Sequence, residues 1–339
     1  MRKFYYPTKD ASIYEEYPTR QTGMDEVLEV GKTSDGTHKI RSLIELDLEE
    51  ISASISSGVI PSSSQFEMKF FAAEATRLDS SQVVNLYPVS QSWLEGQGYF
   101  YQMIVEEGYG ATWKYRDTGS LWSITGSSYI PEMGVSSSKG VIDLSFDVTP
   151  LVLSWLSGSV PNYGGVLKFS NLDEAEHTNK GNYKLFSRQT HTVYSPMLVV
   201  KWDDSIYNTG SMEPIPDAGL TVYPSNLRPS YKVGEITRVN LVARASYPIK
   251  SFTKQFTNWE MTSYLPRTSY FSIVDVQSKE VIIPFDEYSK ISMDSTGPFV
   301  RFEITHMYPH RYYTFMTKVL TNGGYEYVFD NNYIFMVSV

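Results

Sequence analysis

RSLIELDL, residues 41–48, reads as a β-strand. Side chains alternate along a strand, so Ile44, Leu46 and Leu48 share one face while Arg41, Leu43, Glu45 and Asp47 share the other. Glu45 and Asp47 therefore point the same way, on what reads as a solvated face. Working outward, further strands are expected in FEMKFFAAEA from Phe66, VVNLYPV from Val83 and GVIDLSFDV from Gly140. GGVLKFS from Gly164, YKLFSRQ from Tyr183 and PMLVVKW from Pro196 continue the series. Clusters of Gly, Ser, Asn, Asp and Pro separate these segments, the pattern of an all-β sandwich or barrel.

One helix interrupts the strands at Asp147 to Gly158, with Thr149 as N-cap, Pro150 at N1, Gly158 as the stop and an apolar face of Leu151, Val152, Trp155 and Leu156. Serine-rich stretches at Ser52 to Ser64 and Ser136 to Ser138 read as exposed loops. Gly108 to Ser138 forms a long excursion with few strand signals. After Trp202, DDSIYNTGSMEPIPDAG is polar with two prolines, so residues 205–219 read as a linker between a domain at 1–204 and another at 220–339, with the boundary near Pro214. The second half holds apolar stretches at Thr237 to Ala243, Tyr270 to Val276, Glu280 to Pro284, Phe299 to Ile304, Tyr312 to Leu320 and Tyr325 to Phe329, then a closing YIFMVSV. That number of strands in ~120 residues has immunoglobulin-like size and spacing. Asn322-Gly323-Gly324, between TFMTKVL and YEYVFD, is a hairpin signal because Asn and Gly tolerate positive φ.

Composition narrows the function classes. At 339 residues the chain has room for two domains. It is 41% hydrophobic and 20% charged, with 26 Tyr, 17 Phe and 6 Trp, which is globular material rich in the aromatics that strands favour. A formal net charge of −9 offers no basic stripe for phosphates, so no nucleic-acid partner is expected. No cysteine means no disulfide, thiolate metal site or cysteine nucleophile. No apolar run reaches the ~18 residues of a membrane span, and MRKFYYPTKD has no apolar core of a signal peptide, so neither membrane insertion nor ordinary secretion is expected. Asn-x-Ser/Thr acceptors are also absent.

Several motifs, taken in order, resemble the DNRLRE domain family, also classed among carbohydrate-binding modules. KDASIYEEYPTRQTGMDEVLEVG (9–31) is like its Asp-x-x-Ile followed by a Gly-containing turn and a strand, and IRSLIELDLEEI (40–51) is close to its Arg-Ser-Leu-Ile-x-Phe-Asp-Leu. SQSWLEGQG (90–98) and GATWKYR (110–116) stand where the family has a Trp-x-Glu-Gly turn and a Thr-Trp pair. LSFDVTPLVLSWLSGSVPNYGGVLKFS (144–170) and KLFSRQTHTVYSPMLVVKW (184–202) complete the match over residues ~8–202. The resemblance implies a jelly-roll β-sandwich on proteins that touch polysaccharide, and it implies no hydrolysis. The chain departs from it in having no signal peptide and in the excursion around Tyr99 to Tyr109. An adhesin-like sandwich, an immunoglobulin-like partner, no cysteine and no export signal together look like a virion structural protein of a tailed bacteriophage, made in the host cytoplasm. Its expected partners are other virion proteins and copies of itself, with cell-surface glycan as the alternative partner.

Enzymatic readings find little support. There is no Gly-x-Ser-x-Gly elbow, His-Glu-x-x-His, phosphate loop or dinucleotide fingerprint. Ser136-x-x-Lys139 has an acyl-enzyme spacing but lies in a serine-rich loop. Glu45 and Asp47 match a glycosidase pair in type, but alternate charges on a solvated strand explain them more simply. His306 and His310 are spaced for a metal only on a helix, and Pro309 argues for a turn, while His177 and His191 sit in polar loops. Asp10, Asp173 and Glu174 are the candidates for a structural Ca²⁺. No catalytic residue, metal or cofactor is expected. Binding needs exposed aromatics beside polar groups. Trp93, Trp113 and Trp155 coincide with family motifs and read as core, whereas Tyr99, Tyr101, Tyr109, Trp122 and Tyr129 lie in the excursion and read as exposed contacts for carbohydrate or for a subunit interface.

Overall fold

A computed structural model describes residues 1–76, 78, 82–101, 109–137, 142–247 and 262–339. The chain is mostly β and divides into two compact units, residues 4–200 and residues 1–3 with 201–339.

The first unit runs β1 (Arg2–Tyr5, shared with the other unit), β2 (Lys9–Tyr14), β3 (Val27–Lys32), β4 (Lys39–Glu45), α1 (Glu49–Ser56), β5 (Gln65–Phe70) and β6 (Ala72–Thr76). It continues with β7 (Val84–Pro88), β8 (Val135–Ser136), β9 (Leu144–Asp147), α2 (Thr149–Leu156), β10 (Gly165–Phe169), α3 (Asn171–Ala175), β11 (Asn182–Phe186) and β12 (Met197–Lys201). One sheet has the order β1-β12-β5-β9; the other has β6-β11-β3-β4-β10-β7-β8, with β2 also paired to β4. FEMKFFAAEA is thus divided between β5 and β6, on different sheets. Ile44, Leu46, Met68, Leu86, Val148 and Trp155 surround a small apolar void, which places α2 and β5 on one side of β4.

Four expectations for this half are corrected. The strand ends at Glu45, and Asp47 instead accepts a hydrogen bond from the Glu49 backbone N–H at 2.9 Å, opening α1. The serine-rich stretch from Ser52 therefore begins inside a helix, favoured by Glu49 and Glu50 in its first turn and anchored by buried Ile51. Nor is the Arg41 face solvated, since Ile40 to Ile44 are all buried. Helix α2 stands where expected, with Leu151, Val152 and Trp155 buried and Gly158 at φ +73° ending it. Its cap differs: Val148 occupies the N-cap, while the Thr149 hydroxyl accepts from the Phe66 N–H at 2.9 Å.

The second unit contains β13 (Leu220–Pro224), β14 (Ser230–Lys232), β15 (Ile236–Ala245), β16 (Ser269–Asp275) and β17 (Val281–Ile283). β18 (Ser292–Asp294), β19 (Gly297–Glu303), β20 (Tyr312–Leu320) and β21 (Glu326–Ser338) follow. Its sheets have the orders β13-β15-β19-β18 and β14-β21-β20-β16-β17. Alternation is clear in β15, where Val239, Leu241 and Ala243 are buried between outward Arg238 and Asn240. Phe271, Phe302, Phe315 and Phe335 fill the middle of the core. The Asn322-Gly323-Gly324 turn joins β20 to β21, with Gly324 at φ +82°, and β21 absorbs both the Tyr325 to Phe329 stretch and YIFMVSV into one strand. Residues 205–219 are not a free linker. Ile215 is buried in this core, its N–H donates to Tyr264 O at 3.1 Å, and Tyr207 Oη donates to Leu265 O at 2.8 Å.

Candidate binding surfaces

The excursion closes over the Arg41 face of β4. Among its described residues it forms no strand longer than β8 and is held by turns instead: Thr112 N–H donates to Tyr115 O at 2.8 Å and Gly126 N–H to Trp113 O at 2.8 Å. Its base is a contact of backbone on backbone. Gly96 (φ +82°) and Gly110 (φ +96°) lie so close that a Cβ on Gly110 would sit 2.4 Å from Gly96 Cα. This seats Trp113 and Trp122 against Ala11, Ile13, Leu43, Trp93 and Val166. Trp122 is 4% exposed, with Nε1 donating to Thr112 O at 2.9 Å. The expectation that Trp122 is an exposed contact is therefore corrected, because an excursion folded onto a sheet must bury its largest apolar side chains. Tyr129 is half-buried and packs on the same cluster.

Beneath these rings lies a charged network. Arg41 makes a bidentate pair with Glu174, Nε to Oε1 at 2.9 Å and Nη2 to Oε2 at 2.6 Å, and its guanidinium lies 5.0 Å from the Trp113 ring centre. Lys168, 0% exposed, meets the same carboxylate at 3.0 Å and donates to Tyr129 Oη at 3.0 Å and to Asn171 Oδ1. Lys32 points its ammonium at the carbonyls of Asp173, Glu174 and Glu176 around α3. The sequence signal for this network was a lysine inside the apolar strand GGVLKFS.

Outside, Tyr17, Phe100 and Tyr101 form a ledge of rings backed by the buried ring of Tyr14. Phe100 lies 4.7 Å from Tyr14, 5.6 Å from Tyr17 and 5.2 Å from Tyr101 between ring centres. Arg20 sits 4.6 Å from the Tyr17 ring and 4.9 Å from the Phe100 ring, and donates to Phe100 O at 2.8 Å. The Asp25 carboxylate accepts the Phe100 N–H at 3.2 Å, and burial pushes its pKa up to about 6. Tyr101 is 91% exposed, and Tyr99 and Tyr109 are also exposed. Sequence reasoning missed Tyr17 and Arg20, which lie inside the 9–31 motif but were not read as contacts, and Phe100, which lies between Tyr99 and Tyr101.

Nearby, Asp10 is buried. Its carboxylate accepts the Arg188 N–H at 2.6 Å, and Arg188 Nη1 pairs with Glu95 at 3.0 Å. Burial pushes the Asp10 pKa up to about 7 against the lowering effect of the Arg188 bond, and the Glu95 charge adds to the rise. Asp173 and Glu174 are likewise held by Ser170, Lys180, Arg41 and Lys168. Among the described residues no group of three or more His, Asp or Glu side chains converges as a metal site would require. Glu45 is tied to Lys9 at 2.8 Å and is not paired with Asp47. His306 is buried, and His310 stands in a turn at φ +62°. Ser136 lies in β8, while Lys139 falls outside the described residues.

The second unit presents a surface of its own. On the outer face of its five-stranded sheet, Tyr312 stands opposite Met336, Thr314 opposite Ile334 and Val274, and Lys318 opposite Val328. Val281 extends this face from Val274, and Tyr312, Val328, Ile334 and Val281 are all exposed. A water-facing sheet surface ordinarily carries polar residues at such positions.

No family model and no curated protein matches the chain, so the resemblance to DNRLRE domains stands on its quoted motifs. Among solved structures, the chain is similar to the crystal structure of a DUF4785 family protein from Legionella pneumophila, at 10% identity and a TM-score of 0.21. That match covers 100% of this chain and 62% of the other, so the chain spans less than two thirds of the protein it matches.

Proposed function

We propose that this chain is a non-enzymatic structural protein of a tailed-bacteriophage particle, a neck, tail or capsid-surface component that acts through protein–protein assembly. In this reading residues 1–204 are a DNRLRE-like jelly-roll sandwich and residues 220–339 an immunoglobulin-like sandwich. The observation that supports it best is the set of exposed apolar side chains, Tyr312, Val328, Ile334 and Val281, on the outer face of the five-stranded sheet. Large apolar side chains left exposed together on one sheet face suit an interaction surface. Its partners are other virion proteins or copies of itself. The test compares wild type with a Val328→Lys/Ile334→Lys double variant by light scattering and by co-sedimentation with purified particles. Association in the wild type and its loss in a folded variant support the proposal; a wild-type monomer absent from particles sinks it.

The second reading is a carbohydrate-binding surface protein, and the ledge favours it. Exposed Tyr101, with Tyr17 and Phe100 beside Arg20 and Asp25, offers flat apolar faces next to polar groups, the combination that sugar rings need. Tyr99 and Tyr109 flank it in sequence. A glycan array probed with the full chain and with Tyr101→Ala tests this reading. Silence from the wild type refutes it.

A further inference from the structure

In the network around α3 two buried cations share one buried carboxylate. Arg41 and Lys168 share one carboxylate, that of Glu174, and all three side chains are buried. Lys32 adds a further cation a few ångströms away, on backbone carbonyls of α3. Buried charge is costly where two cations divide one carboxylate, and loss of the charge on one of them relieves that cost.

The way out is Asn171. Its amide oxygen accepts a hydrogen bond from Lys168 Nζ and another from Tyr129 Oη at 3.2 Å, so the amine touches the oxygen that is bonded to the amide carbon. The Tyr87 and Tyr129 rings flank the amine at 5.8 and 4.9 Å and keep water from it, while Asn171 itself faces solvent. A nucleophile, an electrophile and a proton carrier therefore meet within seven residues of chain, from the end of β10 into α3.

We propose that Lys168 and Asn171 are joined by a self-formed isopeptide bond, with Glu174 as the proton carrier. Glu174 takes one proton from the Lys168 ammonium, freeing the nitrogen lone pair to attack Asn171 Cγ. The bond from Nζ to Cγ forms and that from Cγ to Nδ2 breaks. Glu174 returns its proton to Nδ2, and the second proton lost by the amine leaves with the ammonia as ammonium. No oxidant or co-reactant is required. The reaction removes the positive charge of Lys168 and leaves Arg41 and Glu174 as a pair.

The test is peptide mass spectrometry on the full-length folded protein. The expected wild-type segment through Lys168 to Lys180 is lighter by one ammonia, and trypsin does not cut after Lys168. Asn171→Asp is expected to lose water in place of ammonia, and Asn171→Ala to show its encoded mass with normal cleavage at Lys168. Because residue 171 is solvent-facing, both variants keep the fold. Wild-type protein of encoded mass overturns the proposal. So does an ammonia loss that leaves Lys168 open to trypsin, since that is the mark of a succinimide at Asn171. A cross-link that persists in Glu174→Gln overturns the role given to Glu174.

Discussion

Replacing Trp122 by alanine separates a structural tryptophan from a contact residue. The side chain is 4% exposed and packs on Trp93, Trp113 and Leu43. A buried aromatic of this class removes ~150–250 Å² from water, which at about 25 cal/mol/Å² is roughly 4–6 kcal/mol. The unfolded chain already buries part of that area, so the expected loss falls to about 3–5 kcal/mol, the range of core aromatic truncations. In a unit of this size, about 2–4 °C per kcal/mol converts the loss to a fall of roughly 6–20 °C in one thermal transition. Trp122→Phe keeps most of the apolar area but leaves Thr112 O without its donor, and should cost about 1–3 kcal/mol. Differential scanning calorimetry of the full chain measures both. If Trp122→Ala moves no transition by more than about 2 °C, yet abolishes association or glycan binding, the reasoning is refuted and Trp122 is a contact after all.

Tyr101→Ala should leave stability within about 0.5 kcal/mol because the side chain is 91% exposed, while a glycan-array signal, if wild type gives one, should fall. Gly110→Ala should cost roughly 1–3 kcal/mol in strain, read as a lower urea midpoint, because φ is +96° and the new Cβ meets Gly96. Asp10 binds its proton more tightly folded than unfolded, about 7 against 3.8, so it contributes stability below pH 4 that is lost as pH rises toward 7. Urea titrations of wild type and Asp10→Asn at pH 4 and pH 7 should therefore show the variant losing less stability, or gaining more, across that interval. A larger loss in the variant would contradict the assignment.

Much of the β framework was legible because strands such as β7, β15 and β20 carry local signals, and α2 announced itself through Pro150 and Gly158. Helix α1 was obscured by its serines, although Asp47 followed by Glu49 and Glu50 is an opening signal that could have been used. The site was less legible for a different reason. Arg41, Lys168 and Glu174 lie on separate elements, and nothing in the alternation of residues 41–48 shows that an excursion some 70 residues later covers that face. The same covering turned Trp122 inward. Tyr17 and Phe100 meet only because β2 and the Trp93 turn are brought together by the tertiary fold. The apparent linker was misleading because polarity and prolines describe an irregular strap over a core as well as they describe a free tether.

β14 pairs in parallel with the end of β21, Ser230 beside Met336 and Lys232 beside Ser338. The Ser338 hydroxyl reaches Tyr231 O across 107 residues of sequence. During synthesis β14 therefore leaves the ribosome long before its neighbour exists, and the five-stranded sheet gains its last member only when the region around residue 338 has emerged. Closure of such a distant pair is slow compared with hairpin formation. A nascent chain stalled within β20 would carry an incomplete sheet with the β20 edge open, so this unit matures as a late event, after translation has passed its final strand.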